Sequence, residues 1–108
     1  MSNKMLEFVK IGQQTPSKRD VVNRKQDFNE IYKNFIHQKA GEQSSRCSQC
    51  GVPFCQVHCP LSNNIPDWLK LTAEGRLKEA YELAQSTNNM PEVCGRICPQ
   101  DRLCEGNC

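Results

Sequence analysis

Cys47-Ser48-Gln49-Cys50-Gly51-Val52-Pro53-Phe54-Cys55-Gln56-Val57-His58-Cys59-Pro60 places four thiols within 13 residues. A second group follows as Cys94-Gly95-Arg96-Ile97-Cys98-Pro99-Gln100-Asp101-Arg102-Leu103-Cys104-Glu105-Gly106-Asn107-Cys108. Together they hold all eight cysteines of a 108-residue chain, and residues 1–46 hold none. Leu, Ile, Val and Phe number only 22, and the mean hydropathy is −0.69. So few aliphatic side chains make a thin core, and a small chain of this kind needs a second source of cohesion. The thiols are the obvious candidates.

Compartment decides what thiols do. The N-terminal stretch carries Glu7 and Lys10 inside any would-be apolar segment, so it does not read as a signal peptide. No apolar run approaches the ~18 residues of a membrane span. The expected setting is a reducing cytoplasm, where eight cysteines rarely become four disulfides. Two tetrathiolate centres remain, of zinc or of iron and sulfur, since soft ligands serve both. Structural zinc sites usually pair two short Cys-x2-4-Cys knuckles. The denser first group suits a cubane, whose corners are spread more widely. Its Cys59-Pro60 ending matches ferredoxin runs whose last cysteine serves the other cluster. The spacing therefore favours iron–sulfur clusters over zinc, and zinc over a disulfide framework.

Between the groups the pattern is helical. Pro66 suits a first turn, Trp68, Leu69 and Leu71 follow, and Gly75 interrupts. Leu77, Ala80, Tyr81 and Ala84 make a second helix that fades at Ser86-Thr87-Asn88-Asn89. Such an αα-hairpin brings the two cysteine groups side by side. Upstream, Phe28, Ile31, Tyr32, Phe35 and Ile36 recur at helical spacing. They predict an amphipathic helix over residues 18–40, begun by Ser17 and Asp20 and stopped by Gly41. Residues 1–17 read as an extended segment. No period-2 strand stands out, so the fold class is all-α, with 18–108 as one domain.

The segment from Cys47 to Trp68 and the segment from Gly95 to Cys108 closely resemble the N-terminal iron–sulfur domain of the small (beta) subunit of NADPH-dependent glutamate synthases. The N-terminal domain of dihydropyrimidine dehydrogenases is similar. Phe8-Val-Lys-Ile and Asp27-Phe-Asn-Glu-Ile-Tyr32 look more like the glutamate synthase branch. The resemblance implies an α-helical ferredoxin-like domain with two [4Fe–4S] clusters and interleaved ligands. By position, Cys47, Cys50, Cys55 and Cys108 would hold one cluster, and Cys59, Cys98 and Cys104 would give three ligands to the other. In the dihydropyrimidine dehydrogenase relatives the fourth ligand is a glutamine further along the chain. Cys94 is then that fourth ligand or a spare buried thiol, with a ligand or near-ligand role preferred. The resemblance further implies an electron-transfer module between NADPH-reduced FAD and a glutamate-forming large (alpha) subunit. FAD and NADPH would sit in the parent's own flavin domain. The chain stops on Cys108, so it reads as a fragment of a longer flavoprotein.

Little else carries chemistry. There is no Gly-x-Gly-x-x-Gly fingerprint, so no FAD or NADPH site is expected here. No Ser/His/Asp set or paired carboxylate suggests a catalytic residue. The net charge of +2 gives no field for nucleic acid or membrane. Backbone N–H groups at Gly51, Gly95 and Gly106 are expected near cluster sulfurs, and Arg46, Arg96 and Arg102 near the cluster charge. Asp67 and Asp101 read as helix caps, Trp68 as a core anchor, and His37 and His58 as solvated.

Overall fold

Pro66 and Gly75 frame the first half of the central hairpin, as their backbone chemistry requires. The computed structural model describes residues 4–108; residues 1–3 of the expected extended segment lie outside them. Six helices occur among the described residues: α1 (Val21–Arg24), α2 (His37–Ser44), α3 (Phe54–His58), α4 (Ile65–Ala73), α5 (Leu77–Ser86) and α6 (Pro91–Ile97). Short 3₁₀ turns cover Glu7–Val9, Gln100–Arg102 and Glu105–Asn107. Among the described residues no strand forms, and one isolated antiparallel bridge joins Lys18 to Tyr32. The all-α class stands.

The α4–α5 hairpin forms as expected. Pro66 sits in the first turn of α4, where a missing N–H costs nothing. At the other end Gly75 adopts φ +79°, the left-handed conformation that closes a helix. Its N–H donates to the Thr72 carbonyl (3.1 Å), and the Arg76 N–H donates to that of Leu71 (2.9 Å). These two bonds satisfy carbonyls that the helix end would leave orphaned. Arg76 then pairs with Glu74 (3.2 Å) and Glu79 across the turn.

The buried set is small. Among the described residues Ala73, Ala80 and Pro66 are the buried apolar side chains, with Ser44, Ser45 and Asn88 as buried polar ones. Gly41 is buried too. These residues lie on α2, α4, α5 and the loops beside them. Helix α4 packs against both α5 and α2, with small residues at the buried positions. The larger apolar side chains point elsewhere: into a cavity, or outward.

The long helix over residues 18–40 does not form. Only α1 and α2 are helical there, and Gly41 lies inside α2 instead of stopping it. Residues 17–33 close on themselves instead. The Arg19 N–H donates to the Ile31 carbonyl (2.7 Å), and the Lys33 N–H to that of Ser17 (2.8 Å). The Arg19 guanidinium donates to both Asp27 carboxylate oxygens, at 2.7 and 3.2 Å. With the Asn29 N–H, it holds the Asp27 carboxyl below the usual carboxylate range. The helical periodicity misleads because most of that face is not covered: Phe28, Ile31, Tyr32 and Ile36 are exposed, and Phe35 is half-buried. Without tertiary burial a short helix is marginal, and local side-chain bonds win.

Residues 6–14 strap the chain just before the first cysteine group. The Leu6 N–H donates to the Cys47 carbonyl (2.8 Å), and the Glu7 N–H to that of Ser45 (3.0 Å). Arg46 Nε donates to the Ile11 carbonyl at 2.9 Å, and Gln43 Nε2 to that of Gly12 at 3.2 Å.

Candidate iron–sulfur site

The two cysteine groups share a local design. Cys55 lies in α3 and Cys94 in α6, and each precedes by four residues a cysteine that caps the helix, Cys59 or Cys98. Both caps are extended, with ψ of 124° and 135°, and both donate their N–H back to the first cysteine's carbonyl. Pro60 and Pro99 explain this. A proline pushes the residue before it out of helical geometry, so each helix must end on its cysteine. One thiol thus sits on a helix and the next on the departing chain.

The hairpin returns the chain so that α3 and α6 both face a cavity of about 960 Å³. Cys47, Cys55, Cys59, Cys94, Cys98, Cys104 and Cys108 line it. Cys50 is exposed and does not. All eight are free thiols. Phe8, Leu61, Ile65, Trp68 and Leu69 form apolar wall, so Trp68 anchors the cavity side of α4.

Cys55 and Cys104 each have a neighbourhood of thiols drawn from both groups, and Cys104 links the two. Burial pushes the Cys55 thiol up, and charge on Cys47, Cys108 and Cys104 adds to the rise. Burial also raises Cys104, where the neighbours are Cys59 and Cys98. The backbone N–H of Glu105 works against that rise. Each group of the sequence therefore contributes to both neighbourhoods, with Cys108 brought near Cys55 and Cys59 near Cys104.

The arrangement tests what could be held. Among the described residues no three Cys, His, Asp or Glu side chains converge enough to hold a single metal ion. The thiols surround a space far larger than an ion, walled partly by apolar side chains. Soft donors around such a space fit a polynuclear iron–sulfur cofactor better than tetrahedral zinc.

Residues 24–108 match the family described as dihydropyrimidine dehydrogenase domain II, 4Fe-4S cluster. The chain belongs to this family of [4Fe–4S] domains. The glutamate synthase [NADPH] small chain of Azospirillum brasilense is 69% identical over 107 residues, covering 99% of this chain and 22% of that protein. The Escherichia coli small chain is 50% identical over 108 residues, 100% of this chain and 23% of the relative. That of Halomonas elongata is 49% identical over 106 residues, 98% and 22%. The chain thus spans about a fifth of the length of these relatives.

Two residues of this [4Fe–4S] domain escape sequence reasoning. Gln49 donates to the Cys47 sulfur from its backbone N (3.4 Å) and its side-chain Nε2 (3.3 Å). Asn88 Nδ2 donates to the Cys94 sulfur at 3.2 Å, while its Oδ1 accepts the Met90 N–H at 3.0 Å. Gln49 sits two residues after a cysteine, where N–H groups turn toward sulfur, and that spacing was the available signal. Asn88 comes before Pro91 in a turn, and nothing in the sequence ties it to Cys94. Of the expected glycines, Gly106 has a structural task instead: an added Cβ would lie 2.9 Å from the Asp101 carbonyl carbon and nearer still to its oxygen. Arg46 lines the cavity, whereas Arg96 pairs with Glu30 and Arg102 is exposed. His37 and His58 are exposed. Asp67 lies in the first turn of α4 and Asp101 within a 3₁₀ turn, and neither is a cap: those positions belong to Asn64 and Pro99.

Proposed function

We propose that this domain is the electron-transfer module of an NADPH-dependent glutamate synthase small subunit, holding two [4Fe–4S] clusters. The observation that carries the reading is the cavity lined by seven thiols drawn from both cysteine groups. The identity to glutamate synthase small chains supports the choice of parent. Cys47, Cys55 and Cys108 hold the first cluster with Cys50, whose loop turns inward on binding. Cys59, Cys98 and Cys104 serve the second. When bound, the clusters supply one-electron carriers between NADPH-reduced FAD and the glutamate-forming large subunit. The chain's own part is positional. Its helix-ending prolines aim the thiols, Trp68, Leu69 and Ile65 keep water from one wall, and Arg46 stands beside the thiolate charge. The FAD and NADPH sites belong to the rest of the parent, its large-subunit partner covers part of the exposed surface, and the setting is the cytoplasm. Among the described residues no helix is long and apolar enough to cross a membrane.

The test uses the whole small subunit, purified anaerobically. Iron and acid-labile sulfide are expected at about eight each per chain, two cubanes' worth. Colourless protein with stoichiometric zinc would overturn the reading. With the large subunit added, Cys104→Ala is expected to abolish NADPH-driven glutamate formation while NADPH still reduces a dye through the flavin. Unchanged glutamate formation would remove the electron-transfer role.

Cys94 is the near-ligand thiol of the second set. The thiols whose charge acts on Cys104 are Cys59 and Cys98, and Cys94 is not among them. Cys94→Ser is therefore expected to keep the iron of both clusters, whereas loss of half the iron would make Cys94 a ligand.

A further inference from the structure

Gln49 holds an unusual backbone. Its φ is +55°, the left-handed region that disfavours a residue with a Cβ. No glycine replaces it, although Gly51 is two positions away. This conformation brings two donors of one residue onto one sulfur, the backbone N–H and the side-chain amide of Gln49 on Cys47. A backbone outlier of this kind is a reason to look for function.

The orientation of the side chain is fixed by a second bond. Nε2 also donates to the Pro66 carbonyl at 2.7 Å, in the first turn of α4. An amide NH₂ has two protons, and here one serves a carbonyl and the other a sulfur. The flipped amide would set oxygen against oxygen at Pro66, so the donor must face this way. The half-buried Gln49 therefore refers the Cys47 sulfur to the hairpin and withdraws charge from it at the same time.

We propose that the Gln49 side chain is a positioning residue that raises the reduction potential of the cluster held by Cys47. This rests on the ligand reading given above. Reduction adds one electron to the cluster, and part of that charge falls on the cysteine sulfurs. A donor bonded to such a sulfur favours the more negative state, because hydrogen bonds strengthen as acceptor charge grows. The backbone donor survives every substitution at this position except proline, so the variants below isolate the amide's share.

Redox titration of the anaerobic whole small subunit, each cluster followed by EPR, provides the test. In Gln49→Leu the reduced-to-oxidised ratio of one cluster at fixed potential is expected to fall about threefold to tenfold, tenfold being 59 mV for a one-electron couple. Gln49→Glu, which sets a carboxylate against the sulfur, is expected to lower it further. The other cluster shifts less in both. A merely structural role predicts no such charge-ordered series at unchanged iron content. Should Gln49→Leu lose iron, Gln49→Met keeps the length without the N–H and replaces it. Full-iron variants that titrate like the wild type overturn the proposal, as does loss of the cluster from every variant. Cys47→Ser with both clusters intact would sink the ligand assignment instead, a distinct result.

Discussion

Iron chelation under anaerobic conditions is expected to remove the domain's cooperative thermal transition. Among the described residues its buried apolar side chains are Ala73, Ala80 and Pro66, and the thiols line an open cavity of about 960 Å³ in place of a packed core. With so little apolar burial of their own, the cysteine segments are expected to loosen when the cofactor leaves. Circular dichroism should keep part of the helical signal from α4 and α5, with a broad melt in place of a sharp one. Limited proteolysis should cut residues 42–64 and 87–108 first. An iron-free protein that melts sharply within a few degrees of the loaded form would show that the chain alone supports the cavity.

Gly106→Ala should be the most damaging single methyl in the molecule. The added Cβ would meet the Asp101 carbonyl, 2.9 Å from its carbon and closer to its oxygen, and backbone cannot swing aside as a side chain can. The contact holds the 3₁₀ turns Gln100–Arg102 and Glu105–Asn107 together, with Cys104 between them and Cys108 just beyond. Asn107 Nδ2 ties the same corner to the Leu103 carbonyl at 2.6 Å. Forcing the turns apart costs about 3 kcal/mol, the upper end for overpacking. It also displaces one thiol of each neighbourhood. Iron should therefore fall for both clusters, which a change at one ligand would not produce. Gly51→Ala is the control: its Cβ would meet nothing within 4 Å, and the expected change is within about 0.5 kcal/mol. Full iron in Gly106→Ala would refute the argument.

The legible parts of this fold are those whose signals are local. Pro66 and Gly75 mark the hairpin by backbone chemistry alone, and Cys59-Pro60 and Cys98-Pro99 mark where α3 and α6 must stop. The cysteine spacing by itself indicates clusters. Residues 18–40 fail for the opposite reason. Their apolar period is real, but a period only makes a helix when something covers the apolar face, and Phe28 has no cover. The Arg19–Asp27 pair takes over there, and no pattern of hydrophobicity encodes it. Gly41 misleads in the same way: it is buried inside α2, a helix that packs on α4, and the sequence does not reveal that packing. Gln49 and Asn88 stay hidden because their task depends on which sulfur a folded loop brings near.

The hairpin also sets a timetable. Between Cys59 and Cys94 lie 34 residues, and α4 and α5 account for most of them. As a disordered tether, that stretch would leave its ends to meet by random search. Helices form in about 0.1–1 µs, and a turn between neighbours adds little delay. Contacts so close in sequence fold fast. The hairpin thus keeps the two cysteine segments near one another while they are still loose. The supply of iron and sulfide, not the meeting of the two segments, should then set the pace of maturation.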